Sequence, residues 1–565
     1  MPAPRPLTLC PPAALDWSRP GTPAAPEFGD IYFSTDGGLD ETRAVFLRGC
    51  GLPEAWQETE RFVIGELGFG SGLNFLAARQ LWDKTAPHNG HLHFVSIEKF
   101  PFDTEQLRRA LLAWPELKAY ADELLAQWPG RVRGFHRLHF GTVTLTLIHD
   151  DIMSGLDDLQ MQADAWFLDG FSPAKNPDMW SPAVMKKLAA LSVNGAKLAT
   201  FTVAGAVRQA LSEAGFTVER KEGFGRKRHR LEAIFGERSG QNISYTQSVQ
   251  PTIIGTGIGG LSLAQAFRRR GIQPHIISDP DHIAASGNAA ALVKPRLDLQ
   301  DRPESRFFLG SYLYALKTYH EACLHRSITH IPKSDSDLKR HHKLLAQAPL
   351  PENHLTSRDN KAMFFPSAQV ICPASYRDAV LSGLIVEKRE IKTLKALPFP
   401  LFIAAGYGIA KLIPEWPMRF SRGQITWVTG ASPLNEAISY GGYAIPAGED
   451  VLLGATHDRL VSGNNPYRLQ VEDDVKNIAQ AKTHLGLNFT ASETPSRASV
   501  RVTSQDTLPV IGQINQNQYV LTGLGSRGFV FAPLLAEALV SEYFGDPLPV
   551  ARSLWEKLSH HRLLS

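Results

Sequence analysis

Two short glycine-rich stretches hold the residue types best suited to bind a reactive cofactor. The first is Glu66-Leu67-Gly68-Phe69-Gly70-Ser71-Gly72, which follows the apolar run VIGEL and precedes an apolar helix. Its glycines let the backbone approach a ligand without interference from a Cβ. No Gly-Lys-Ser/Thr follows, so it is not a phosphate loop of the P-loop kind. An acid just before the first glycine suits a cationic amino-acid head and would repel a diphosphate. The second stretch, Gly255-Thr256-Gly257-Ile258-Gly259-Gly260, fits G-x-G-x-x-G between the strand PTIIG and a helix. In that setting the helix N-terminus stabilises a dinucleotide's diphosphate.

Such turns function only when strands and helices hold them in place. Each opens a strand–turn–helix unit of a doubly wound sheet, Arg61 to Leu81 and Pro251 to Gly271, where ligands bind beyond the carboxyl ends of the strands. Two openings imply two nucleotide-binding domains, expected at 1–236 and 251–565, joined by the polar linker 237–250. After Gly90 the first half continues as strands at 93–99, 142–151 and 164–171, with a proline-interrupted helical stretch at 110–128. The second half reads as mixed strands and helices from about 303 to 400, then returns to nucleotide-domain character at 401–408. The expected class is therefore α/β: a Rossmann-like domain, then a second Rossmann-type domain with an inserted α+β substrate domain.

Around the first turn, acids end successive strands: Glu98, then Asp150-Asp151, then Asp169. This ordered set resembles the class I S-adenosylmethionine methyltransferases. The resemblance implies that Gly68, Gly70, Gly72 and Glu66 cradle the cofactor, that Glu98 accepts its ribose hydroxyls, and that Asp151 or its neighbour Asp150 accompanies the adenine. Asp169-Gly170-Phe171-Ser172-Pro173, continuing to Trp180, sits where N-methyltransferases place the acceptor loop. Methyl transfer needs a neutral amine, close positioning and a destination for the proton. Asp169 could serve the proton and Phe171 and Trp180 could stack on a base; a helix-capping Asp and core aromatics are the plainer alternative. Downstream, ERKEGFGRKRHR (219–230) sets six Lys/Arg against two Glu. It is either a solvated face or an element that contacts nucleic-acid phosphates.

The second turn departs from the dinucleotide pattern at its distal acid, because Ser278 stands where the acid is expected and Asp279 follows. Later segments distinguish the cofactor. Ser286-Gly287-Asn288, Ser421-Arg422-Gly423-Gln424, Leu453-Gly454-Ala455-Thr456 and Gly523-Leu524-Gly525-Ser526-Arg527-Gly528-Phe529 resemble, in order, the flavin-contacting segments of the D-amino-acid-oxidase and glycine-oxidase superfamily. That resemblance implies FAD. It also implies Arg501, in SVRVTSQD, as a bidentate clamp on a substrate carboxylate, with Tyr443 assisting. A structural ion pair is the alternative role for Arg501.

Composition excludes little. The formal charge is +3 over 565 residues, and the four cysteines are scattered without metal-ligand spacing, so reduced thiols and no metal are expected. No apolar run approaches the roughly 18 residues that span a bilayer. The proline-broken segment 1–17 is expected to be a flexible lead-in and not a signal peptide. A cytoplasmic monomer is the expectation.

An oxidase for glycine-like amines liberates an amine, and an N-methyltransferase consumes one. Nearly the whole chain resembles the bifunctional tRNA enzymes that make 5-methylaminomethyl-2-thiouridine at the wobble position, most specifically through LDGFSPAKNPDMW and GFGRKR. The resemblance implies FAD-dependent removal of the carboxymethyl group from 5-carboxymethylaminomethyluridine, then S-adenosylmethionine-dependent methylation of the exposed amine. It implies that Arg501 grips the glycine carboxylate and that 219–230 holds phosphates of the tRNA anticodon stem-loop. An oxidase and methyltransferase of free glycine- or sarcosine-type amines is the alternative, and a scaffold with inactive cofactor folds is a third.

Overall fold

The computed structural model describes residues 5–19, 22–33, 37–225, 228–236, 249–359, 362–395, 397–429, 434–460, 465–492 and 494–564. The expected linker, all but residues 249 and 250, lies outside them, as do Arg226 and Lys227 of the basic run. The chain divides into two compact units. One comprises Leu9–Gln247 with Ser541–Ser553, and the other Met1–Thr8, Ser248–Val540 and Leu554–Ser565.

The first unit is built on an eight-stranded sheet. Its centre is parallel, in the order Ser192–Thr200, Ala163–Leu168, Arg61–Leu67, His91–Glu98, Val143–His149. Antiparallel hairpins close both edges: Gly134–Phe140 beside Val143–His149, and His229–Phe235 with Phe216–Glu222 beside Ser192–Thr200. Arg61–Leu67 and Val143–His149 are buried at every position, as expected for central strands covered on both faces. The strand order reverses around Arg61–Leu67, and a doubly wound sheet opens its ligand crevice at such a switch point. Two apolar cores fill the faces, one around Trp56, Phe75, Trp82 and Phe94, the other around Trp166, Val184 and Leu211.

Segment Ser541–Ser553 belongs to this unit through a buried charge cluster. Asp546 meets Arg61 at 3.3 Å and His93 at 3.4 Å, with both partners' side chains 4% exposed. The N-terminal stretch corrects the expectation of a flexible lead-in. Leu7, Cys10 and Ala13 are at most 3% exposed, and the Cys10 amide donates to the Arg131 carbonyl at 2.8 Å. Single apolar residues between prolines occupy separate niches there, so no periodicity announces them.

The second unit has a six-stranded sheet, parallel through Val386–Lys388, His275–Ser278, Thr252–Ile254, Leu401–Ile403 and Gln518–Thr522, with Val510–Asn515 antiparallel at the edge. A separate eleven-stranded mixed sheet carries the rest. It is not confined to 303–400: it begins at Ala291–Val293 and includes Arg419–Thr429, Tyr443–Ala447, Asp450–Gly454 and Arg497–Thr503. The substrate layer is thus threaded through the cofactor layer several times.

Gly65 exposes the packing demand at the centre of the first sheet. A Cβ there would lie 2.3–2.8 Å from the Trp166 ring, which is 1% exposed and tied by its indole N–H to Ser192 Oγ at 2.9 Å. Gly65→Ala is expected to cost ~1–3 kcal/mol through overpacking. Urea unfolding of the full chain should show a lower midpoint for the first unit's signal, and an unchanged midpoint would contradict this packing.

Candidate functional site

In the first unit a cavity of about 1000 Å³ opens at the carboxyl ends of the parallel strands. Gly68, Gly70, Glu98, Asp150, Asp151, Asp169 and Phe171 line it together. Glu66 and Gly72 do not; they support the turn from behind. Gly68 has φ +88°, and a Cβ on it would meet the Asp169 carbonyl oxygen at 2.3 Å, so only glycine lets the two strand ends close up. Gly72, at φ +76°, begins the helix Leu73–Thr85.

Asn74, on the first turn of that helix, is the residue sequence reasoning missed. Its side-chain amide donates to Glu66 Oε1 at 3.0 Å and to Asp169 Oδ2 at 2.7 Å, while its carbonyl accepts the Thr42 hydroxyl at 2.9 Å. The Thr42 bond thereby fixes which way the amide points. Glu66 also accepts the Ser96 hydroxyl at 2.6 Å, and burial pushes its carboxyl up to about 8. Glu98 accepts the Gly70 amide at 2.9 Å and the Phe100 amide at 2.8 Å, and burial raises its pKa also. Asp151 caps the helix Ile152–Asp158 through the Met153 amide and pairs with Lys99 at 3.1 Å, whereas Asp150 pairs with Arg133 at 3.2 Å.

Phe171 stacks on Phe28 at 4.5 Å and meets Tyr32 edge-on at 5.2 Å. Trp180 takes the plainer, core alternative: it is 5% exposed and donates its indole N–H to the Phe171 carbonyl at 2.9 Å, so it braces the loop and cannot stack on a base. The basic run forms the exposed hairpin Phe216–Glu222/His229–Phe235, and its Phe224 and Gly225 reach the cavity lining.

In the second unit a cavity of about 540 Å³ runs from the G-x-G-x-x-G turn to the substrate sheet. Gly255, Gly257, Ser278, Asp279, Ser286, Asn288, Tyr443, Arg501, Gly523, Gly525, Ser526, Arg527 and Gly528 line it, which brings most of the expected residues to one place. Three do not line it, and each glycine has a packing reason. A Cβ on Gly260 would meet the Gly255 carbonyl oxygen at 1.8 Å, one on Gly287 would meet Arg497 at 2.9 Å, and one on Gly454 would meet the Tyr443 ring at 2.3 Å. Gly454 is paired with Tyr443 across the strands and makes room for its ring. The Ser421–Gln424 strand is also structural: Arg422 forms a buried pair with Asp473, and Gln424 donates to Asp474 at 2.8 Å.

Ser278 accepts or donates across to Thr256 at 3.0 Å, and Ser286 Oγ accepts the Ile258 amide at 2.9 Å, so two hydroxyls shape the turn. Asn288 accepts Arg497 Nη1 at 2.6 Å and is hydrogen-bonded to Tyr443. Arg497, unremarked in the sequence, therefore anchors the chain that holds Tyr443. Arg501 donates to the Thr456 carbonyl at 3.2 Å, and burial lowers its pKa, as an unpaired guanidinium in a cavity requires. No ion pair forms around it among the described residues, which disfavours the structural-pair alternative.

The two linings differ in charge. The first gathers Glu98, Asp150, Asp151 and Asp169 among eight acids against Lys99 and Lys175, an acidic set that suits a sulfonium and ammonium cation. The second gathers Lys333, Arg340, Lys411, Arg501 and Arg527 against Asp279 and Asp337, and it offers an open glycine turn at a helix start, which suits a dinucleotide and an anionic substrate. Among the described residues no cluster of three or more His, Cys, Asp or Glu is placed to hold a metal ion, and no helix is long and apolar enough to cross a membrane.

Comparison with known proteins agrees with this division. Residues 115–235 match the family described as S-adenosyl-L-methionine-dependent methyltransferase, and residues 252–542 match FAD dependent oxidoreductase. Curated relatives named tRNA 5-methylaminomethyl-2-thiouridine biosynthesis bifunctional protein MnmC align end to end. That of Caulobacter vibrioides is 40% identical over 97% of this chain and 97% of its own. That of Maricaulis maris is 40% identical over 98% and 96%, and that of Aeromonas hydrophila 35% over 97% and 96%. Two cofactor domains, one for S-adenosylmethionine and one for FAD, thus lie in one bifunctional enzyme, and the chain belongs to the family of tRNA 5-methylaminomethyl-2-thiouridine biosynthesis bifunctional proteins.

Proposed function

We propose that the two cavities act in turn on one wobble uridine of a tRNA, the basic cavity exposing an amine and the acidic cavity methylating it. The observation that carries this reading is the opposite charge of the two linings within a chain of this family. The oxidase reaction removes the carboxymethyl group from 5-carboxymethylaminomethyl-(2-thio)uridine, and the methyltransferase converts the resulting 5-aminomethyl base to 5-methylaminomethyl-(2-thio)uridine. A tRNA substrate fits work in the cytoplasm, and the described lining of each cavity comes from this one chain.

In the oxidase cavity Arg501 holds the substrate carboxylate, with the Tyr443 hydroxyl beside it, kept in place by Asn288 and Arg497. FAD, when bound, accepts two electrons from the amine's α-carbon. Gly255, Gly257, Asp279, Ser286 and the turn Gly523–Gly528, at the helix starts Ile258 and Gly528, would hold that cofactor. The planar guanidinium matters because it can bind both carboxylate oxygens at once.

In the methyltransferase cavity S-adenosylmethionine supplies an electrophilic methyl group. Glu98 and Asp151 or Asp150 orient it, and Asp169, locked by Asn74, binds the amine and receives its proton. Phe171, backed by Phe28, offers a face for the base, and Phe224 on the basic hairpin joins the same lining. The hairpin's exposed cations, Arg220 and Arg228 among them, lie against the phosphates of the anticodon stem-loop.

Two variants separate the activities. Arg501→Lys should raise the half-saturating concentration for anaerobic flavin bleaching by carboxymethylaminomethyl-tRNA roughly 10- to 100-fold, the value of a charge-assisted clamp, while methyl transfer to aminomethyl-tRNA is unchanged. Bleaching of the wild type by free glycine or sarcosine, at rates matching the tRNA, would favour the small-molecule reading instead. Asp169→Asn should slow methyl transfer from labelled S-adenosylmethionine roughly 10²-fold or more with flavin bleaching intact; a rate within threefold of wild type would remove Asp169 from the proton path.

A further inference from the structure

Lys294 has no part in the chemistry described so far, yet it lines the oxidase cavity together with Tyr443 and Arg501. It follows the strand Ala291–Val293, a few residues past the Ser286–Asn288 segment. Its ammonium lies 5.8 Å from the centre of the Phe365 ring, itself 1% exposed. Among the described residues it has no ion-pair partner. The charged groups that act on it come from other elements and are all cations: Arg527 on the turn Gly525–Arg527, Lys333 after the strand Cys323–His330, and Arg340 on the helix Asp335–Gln347.

The remaining titratable neighbours do not offset them. His330 bonds through Nδ1 to Ser439 at 2.8 Å and is held neutral by burial and by Lys294 itself. The cavity's carboxylates are Asp337, whose Oδ2 accepts the Lys333 amide at 3.3 Å, and Asp279 beside the glycine turn. Burial first, then repulsion by Arg527, Lys333 and Arg340, lowers Lys294 to about 7. An amine in that state can accept a proton at neutral pH, which an ordinary surface lysine cannot.

The proposed substrate needs such an acceptor. A secondary amine of the glycine type arrives mainly as an ammonium ion, which has no lone pair to assist loss of hydride from its α-carbon. We propose that Lys294 Nζ is the proton acceptor that converts the bound substrate ammonium to the free amine. The proton leaves the substrate nitrogen for Nζ. The C–H bond of the carboxymethyl CH₂ then breaks, its electron pair and hydrogen passing to FAD, while the nitrogen lone pair forms the C=N bond. Water adds at that carbon and the C–N bond breaks, releasing glyoxylate and the aminomethyl base. The assignment rests on the reading of this cavity as the site for a carboxymethylamino group.

A cationic grip on the carboxylate is the competing role, and arginine discriminates the two because it keeps the charge but cannot take a proton. The experiment is anaerobic reduction of holoenzyme flavin by carboxymethylaminomethyl-tRNA at saturation, from pH 5.5 to 9. Failure of wild-type bleaching would overturn the substrate reading and is distinguishable from failure of the lysine's role. With wild type, the reduction rate should climb about tenfold per pH unit below about 7 and level above it, as for a single base. Lys294→Met and Lys294→Arg should both lose roughly 10²-fold at pH 7 and lose this limb, with added methylamine restoring part of the rate to Lys294→Met. Retention of the wild-type rate by Lys294→Arg would make the residue a grip and overturn the proposal, as would an unaltered limb in both variants. Independently of turnover and of variant folding, competitive acetylation of the wild-type holoenzyme should give Lys294 a titration midpoint near 7; a midpoint above 9 would also overturn it.

Discussion

Both sites depend on a place where a Cβ cannot exist. At Gly68 it would strike the Asp169 carbonyl at 2.3 Å, and at Gly255 it would strike the Ala404 carbonyl at 2.5 Å. In each unit the consequence is the same: a central parallel strand can turn directly into a helix while its neighbour's end approaches within contact distance. The crevice at the carboxyl edge, where the cofactor and the reacting groups must meet, exists because that approach is permitted.

Beyond this shared geometry, the two units solve one chemical problem in opposite electrostatic settings. Oxidation at the α-carbon and attack on a methyl sulfonium both require an amine with its lone pair free, so each site must hold a proton acceptor close to nitrogen. In the proposed reading the acidic cavity uses a carboxylate, Asp169, whose direction is set by the Thr42–Asn74 pair. A second carboxylate would be an unsuitable acceptor in the basic cavity, because it would compete with the substrate's own carboxylate for Arg501. A lysine whose proton affinity is lowered by burial and then by surrounding cations, as proposed for Lys294, avoids that competition. The order of the steps follows, since the product of one cavity has lost the anionic group that the basic cavity recognises.

The strand ends and glycine turns were legible in the sequence because a buried parallel strand leaves a continuous apolar run and its ligand-facing acid comes immediately after it, as at Glu98 and Asp169. The second sheet was less legible. Several of its strands are short, and they are interleaved with the cofactor layer, so the insert is expected at 303–400 although pairs such as Tyr443 with Gly454 lie far outside that span. The motifs also concealed two kinds of residue. Gly260, Gly287 and Gly454 satisfy packing around the site, and Ser421–Gln424 organises a buried polar network, yet their one-letter patterns are the same as those of contact residues. Asn74, Arg497 and Lys294 went unmarked for the converse reason: a lone polar residue has no spacing partner, and its role appears only when distant segments bring Thr42, Asn288 or Arg527 beside it. The N-terminal stretch failed similarly, since Leu7, Cys10 and Ala13 pack one at a time.

The central claim is that one chain exposes an amine on a wobble uridine and then caps it. Nucleoside analysis of tRNA from cells lacking the chain and complemented with single variants tests this most directly. Arg501→Ala should leave the carboxymethylaminomethyl nucleoside accumulated, and Asp169→Ala should leave the aminomethyl nucleoside instead. Accumulation of neither intermediate, or of the same one in both strains, would contradict the account.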